Sequence, residues 1–261
     1  MRIQYASDLH LEFRENSSFL KHNPLAVAGE VLVLAGDIGY IGDENYSRHP
    51  FWDWASGNYS RVIVVPGNHE FYKMFDIDKL YNGWSLKIRE NIPCHYNAVI
   101  PLGNDIELIA TTLWSHILLQ DAYETEAAIT DFRRMRYGSE PLDWTRFNDE
   151  HSRCFRFLEQ SVKQRAVRSM GHLPWSLAVS LQTARLNTGY MATRTAISIR
   201  SSETPGAYAT SWAMCSVTSI RHSIRKRIFR FKSAIHKSRL SAKVNIRQTD
   251  GLLCNKFMVD Y

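Results

Sequence analysis

Three short stretches near the start of the chain combine acids, an amide and imidazoles: Ser7-Asp8-Leu9-His10, Gly36-Asp37-Ile38 and Gly67-Asn68-His69-Glu70. Carboxylate oxygen, amide oxygen and imidazole nitrogen are donors that hard and borderline divalent cations accept, so Mn, Fe, Zn or Mg suits the set better than a soft ion. Asp8 and His10 are two positions apart, and in an extended chain both side chains leave the same face and can grip one ion. Asp37 has two oxygens and can bridge two ions, with Asn68 reaching the second. A lone Asp-x-His arises often by chance and serves as well as a polar loop. The succession of all three motifs points to a metal centre with Asp8, His10, Asp37 and Asn68 as ligands.

Such a centre needs elements that bring distant residues together. Each motif follows an apolar run: Arg2-Ile3-Gln4-Tyr5-Ala6, Val31-Leu32-Val33-Leu34-Ala35 and Arg61-Val62-Ile63-Val64-Val65. Short β-branched runs bounded by Gly, Pro or Asp read as buried strands of a largely parallel sheet. Ligands bind such sheets where the carboxyl ends of neighbouring strands open out, so three strands would deliver Asp8, His10, Asp37, Asn68 and His69 to one rim.

Asp-x-His, then Gly-Asp, then Gly-Asn-His-Glu resembles the N-terminal signature of the calcineurin-like metallophosphoesterases. The wording Ser-Asp-Leu-His-Leu-Glu-Phe and Gly-Asn-His-Glu-Phe-Tyr is similar to the small bacterial members. The resemblance implies an α/β four-layer sandwich, two β-sheets between helices, with two divalent metal ions at the strand ends. It implies hydrolysis of a phosphomonoester or phosphodiester by in-line attack of a metal-activated hydroxide. His69 then assists the leaving group, oriented by a neighbouring carboxylate for which Glu70 is the candidate.

The 261 residues suffice for one large domain with a substantial core, and the 44% hydrophobic content is ordinary for a globular protein. No apolar run approaches the roughly 20 residues of a membrane span. The chain opens directly on a strand rather than a secretory signal, so a cytoplasmic location without membrane contact is expected. Cys94, Cys154, Cys215 and Cys254 show no metal-binding pair spacing and read as reduced thiols.

Along the chain, residues 11–30 read as a polar loop, and the aromatics Phe51, Trp52 and Trp54 as a short helix covering the sheet. Leu80, Trp84 and Ile88 recur at intervals of four and predict an amphipathic helix over Asp76 to Asn91. Strands are expected around Tyr96–Pro101 and Ile106–Leu113, joined by a turn at Gly103-Asn104. His116, just beyond Thr111-Thr112-Leu113-Trp114-Ser115, needs no special role. Residues 119–142, with Asp131, Arg133, Arg134 and Arg136, read as a solvated loop; in the family such an insertion often shapes substrate access. Asp143 to Gln164 reads as a helix.

The family pattern then breaks. A strand ending in histidine and a later Gly-His-x-His should supply the remaining ligands, and neither is clean. His172, in Met170-Gly171-His172-Leu173-Pro174, is the one candidate for the former; His222 and His236 lie in a basic run. Each metal would be one or two protein ligands short, which lowers affinity. The charge changes too. Residues 1–160 hold 15 Lys and Arg against 23 Asp and Glu, whereas residues 161–261 hold 17 against three. The chain therefore divides into a metallophosphoesterase core over 1–164 and an atypical basic region over 165–261. A change of reading frame near residue 165 explains the division, in which case another frame past residue 160 spells Gly-His-x-His. The second explanation is functional. Arg221, Arg225, Lys226, Arg227 and Arg230, with Phe229 and Phe231 interleaved, suit nucleic acid, and the chain is then an inactive remnant that binds it.

Overall fold

The first three strands are β1 (Arg2–Ala6), β2 (Val31–Ala35) and β3 (Arg61–Val65), which lie side by side and parallel, with Tyr5 opposite Val33 and Val33 opposite Ile63. Their side chains alternate between two separate cores. Val31, Val33, Ala35, Ile63 and Val65 face one way, and Leu32, Leu34, Val62 and Val64 the other. Burial on both faces explains the unbroken apolar runs. The computed structural model describes residues 1–103, 106–169, 193–200, 211–217 and 257–260.

Two more strands, β4 (Ser85–Arg89) and β5 (Ile92–His95), extend this sheet beyond β3, β5 parallel to β3 and β4 antiparallel to β5. A second sheet is antiparallel and begins with the hairpin of β6 (Ala98–Gly103) and β7 (Ile106–Thr111). A two-residue ribbon, β8 (Arg136–Tyr137) with β9 (Glu140–Pro141), stands apart. Beyond residue 164, β10 (Thr193–Arg200) and β11 (Ser211–Val217) add to β7, while β12 (Phe257–Asp260) pairs antiparallel with β1. The basic region thus supplies strands to both sheets.

The sheets face each other through Ile3, Val33, Ile63 and Val65 on one side and Ile100, Leu108 and Ala110 on the other. Outside the first sheet lie α1 (Arg14–His22) and α2 (Pro50–Asn58), with Phe51 and Trp52 packed on Leu32 and Leu34. Outside the second lies α5 (Trp144–Ser169), whose Leu158 meets Ile109. Helix, sheet, sheet, helix is the expected four-layer sandwich. Burying each Leu, Ile or Phe of these faces contributes about 1.5–3 kcal/mol. Gln4, fully buried in β1, has partners at both ends of its amide: it donates to the Ala26 carbonyl (3.1 Å) and accepts from Ala28 N–H (2.8 Å) and the Tyr59 hydroxyl (3.0 Å).

Three expectations are corrected. Asp76 to Asn91 is not a helix: a 3-10 turn at Ile77–Lys79 gives way to β4, because Gly83 between them adopts φ +86° and ends any helical path. Residues 11–30 are not all loop, since α1 lies within them. Residues 119–142 are not a solvated loop. They form α3 (Ala122–Ala128) and α4 (Asp131–Arg134) and bury Phe132, Met135 and Leu142 beside Phe71, Trp114 and Phe147.

Candidate metal centre

The loops leaving β1, β2 and β3 are bound to one another through their backbones. Asp8 N–H donates to the Gly36 carbonyl (3.0 Å), His10 N–H to that of Asp37 (3.0 Å) and Leu11 N–H to that of Ile38 (2.8 Å). Asp8, His10 and Asp37 adopt left-handed φ of 59°, 46° and 59°. That region is costly for side-chain-bearing residues, though Asp and His tolerate it better than most, and such strain gathers at functional sites. Gly67 is where the third loop closes in: a Cβ there would stand 2.3 Å from Asp37 Oδ1.

The three loops bring two donor groups together. One ligand atom each from Asp8, His10 and Asp37 lie within 4.8 Å of one another, and the same holds for His10, Glu12 and His69. Burial pushes the Asp37 carboxyl well above its ordinary range, and the nearby charges of Glu70 and Asp8 push it further. Negative groups held this close and this dry are stabilised by a cation among them.

Glu12 was not among the residues singled out by sequence. Its Oε1 lies 3.0 Å from His10 Nδ1 and 2.7 Å from His69 Nδ1. Burial raises the Glu12 carboxyl, but the two imidazole hydrogen bonds outweigh it and bring the pKa to about 2. An ionised carboxylate only accepts, so both Nδ1 atoms carry the hydrogen and both Nε2 atoms are left for other partners. For His10, burial lowers the imidazole pKa, yet the Glu12 contact leaves it raised overall. The His69 ring stacks with Tyr72 (centroids 4.5 Å) and with Tyr40 (6.0 Å), which also touch each other, and has His10 edge-on at 4.4 Å.

The orienting role expected of Glu70 is therefore corrected in its target. Fully buried, its carboxylate accepts from the backbone N–H groups of Asp37 (2.9 Å), Ile38 (2.6 Å), Gly39 (3.3 Å) and Gly67 (2.7 Å). It holds the second and third loops together, while Glu12 holds the His69 ring. The period-two run Asp8-x-His10-x-Glu12 was the signal for Glu12. Asn68, buried, donates from Nδ2 to both carboxylate oxygens of Asp131 (3.0 and 3.2 Å), and the Tyr72 hydroxyl donates to Asp131 Oδ1. Burial raises the Asp131 carboxyl, and the bonds from Tyr72 and Asn68 oppose the rise. No sequence signal connects residues 63 apart across the insertion. His116 lies 5.5 Å ring to ring from His151, and neither belongs to a donor group. His172, His222 and His236 lie outside the described residues.

The residues present fit a divalent cation: mixed oxygen and nitrogen donors converge, and Glu12 Oε2 is buried with no hydrogen-bond partner among the described residues.

The chain belongs to the calcineurin-like phosphoesterase family, whose model matches residues 1–197. An uncharacterized protein of Acanthamoeba polyphaga mimivirus, L509, is 30% identical over 152 residues, 52% of each chain. The chain thus spans about half the length of the curated relative it matches. Among solved structures, phosphopantetheinyl hydrolase (PptH) from Mycobacterium tuberculosis aligns with a TM-score of 0.36 and 18% identity, over 61% of this chain and 63% of that one. Among the described residues, no helix is long and apolar enough to cross a membrane.

Proposed function

We propose that this chain hydrolyses a phosphomonoester or phosphodiester at the rim formed by β1, β2 and β3, with two divalent cations held there by Asp8, His10, Asp37 and Asn68. The observation that carries the reading is the Glu12 bridge, which joins the His10 ligand to the His69 ring through one carboxylate oxygen. When bound, divalent cations neutralise charge on phosphoryl oxygens and lower the pKa of water. The protein's own groups do the rest. His69 acts as the imidazolium: it keeps its Nδ1–H on Glu12 and gives its Nε2 proton to the departing oxygen. Tyr40 and Tyr72 fix the plane of that ring. Arg134, whose guanidinium stands 5.4 Å over the Tyr72 ring, sets positive charge at the edge and favours an anionic substrate.

The test is hydrolysis of aryl phosphate mono- and diesters with added Mn. His69→Ala should lower kcat by about 10²–10⁴-fold, the usual contribution of a positioned acid, and Asp37→Asn should abolish the metal dependence. No turnover by the parent chain, with salt-sensitive oligonucleotide binding, would instead favour the nucleic-acid-binding remnant.

A further inference from the structure

An amide side chain offers a cation only its oxygen, and nothing in an asparagine itself decides which end points where. At Asn68 the decision is made from outside. Its Nδ2 reaches both oxygens of Asp131, at 3.0 and 3.2 Å, and stands 3.3 Å from the Tyr72 hydroxyl. That hydroxyl donates to Asp131 Oδ1 in turn. All three residues are buried. A carboxylate accepts and does not donate, so it selects the nitrogen end of the amide; turning the amide over would set oxygen against oxygen in a site without solvent to separate them.

We propose that Asp131 is a positioning residue for the metal ligand Asn68: by holding Nδ2 it leaves Oδ1 as the end presented to the cation, and the Tyr72 hydroxyl holds Asp131 in place. The inference rests on the metal centre argued above. It makes α4, and with it the insertion between β7 and α5, a working part of the site. Groups that orient a ligand are worth about 10–100-fold in metal affinity.

The experiment is calorimetric titration of the purified full chain with Mn, with near-ultraviolet circular dichroism as the check on folding. Asp131→Ala should raise the Kd for Mn by about 10–100-fold. Tyr72→Phe, which keeps the ring over His69, should raise it in the same direction by less. Asp131→Asn is nearly isosteric and keeps one acceptor while losing the second and the charge. It should raise the Kd by about tenfold, and it decides the matter if the alanine variant does not fold. The discriminating readout is the double variant. In an Asn68→Ala background, replacing Asp131 should cost nothing further, because there is no amide left to orient. A merely structural Asp131 would cost the same with or without Asn68, and that additivity overturns the inference. Mn bound by the parent chain, released by Asp37→Asn and held undiminished without Asp131 sinks the inference alone. No Mn bound by the parent chain sinks the metal centre as well.

Discussion

At the scale of single residues, one oxygen atom ties two roles together. Glu12 Oε1 accepts from the Nδ1 atoms of His10 and His69, so it places the Nδ1–H of the proposed metal ligand and of the proposed proton donor at once. Glu12→Gln removes the charge and retains the shape. It is expected to lower kcat by about 100-fold, toward the lower end of what a positioned acid supplies, and to weaken Mn binding in the same protein. Steady-state kinetics and metal titration on one preparation check this; a loss in kcat with unchanged metal affinity would separate the two roles. The ligand motifs were legible because their side-chain chemistry is written at short range in three places. Asp131 was not, because its place at the site depends on how an insertion folds back onto Asn68 and Tyr72 beyond β3, and nothing local in Thr130-Asp131-Phe132 announces that.

At the scale of elements, the approach of the strand ends matters more than the strands. Gly67 backs onto Asp37 so closely that a methyl group at 67 would meet Oδ1 at 2.3 Å and the Asp37 nitrogen at 2.9 Å. Gly67→Ala should therefore destabilise the chain by about 1–3 kcal/mol, as overpacking does, and displace the proposed metal ligand Asp37 while doing so. Urea unfolding together with Mn titration measures both. The parallel strands were readable from their apolar runs because burial on two faces leaves no other composition open to them. The false helix over 76–91 had a physical source. Leu80 and Ile88 are buried in different cores, and their spacing of eight comes from a turn followed by a strand rather than from one helical face. Asn82-Gly83 in the middle was the breaker to weigh against the periodicity.

At the scale of the whole molecule, sensitivity to acid is spread across layers. Burial lowers the imidazole pKa of His49 at the start of α2, of His95 in β5 and of His151 in α5 below the ordinary 6.5. For a histidine so depressed, the unfolded chain binds the proton first, and stability is lost as pH falls through 6.5 toward the folded value. His49 shows the structural reason: its Nδ1 accepts from Phe51 N–H (3.2 Å) and caps α2, and a proton there destroys the acceptor. His49→Asn, which can cap without titrating, should lose less stability than the parent between neutral pH and about 5.5, the difference being about 1 kcal/mol, the usual worth of such a cap. Denaturant midpoints at a series of pH values measure it. His10 is shifted the other way and contributes the opposite sign in both proteins, so it cancels in the comparison. The change in charge along the chain was plain to read, but its consequence for shape was not. Strands from the basic region enter both sheets, and strand pairing with distant partners leaves no mark in composition.

The buried carboxylate of Glu70 receives four backbone amides from two separate loops. Those amides cannot reach solvent one at a time, since freeing any of them means withdrawing the same acceptor from the rest. In deuterated water, the hydrogens of Asp37, Ile38, Gly39 and Gly67 should exchange with a common protection factor, and Glu70→Gln, with a single oxygen to share, should split them into weakly and strongly protected pairs.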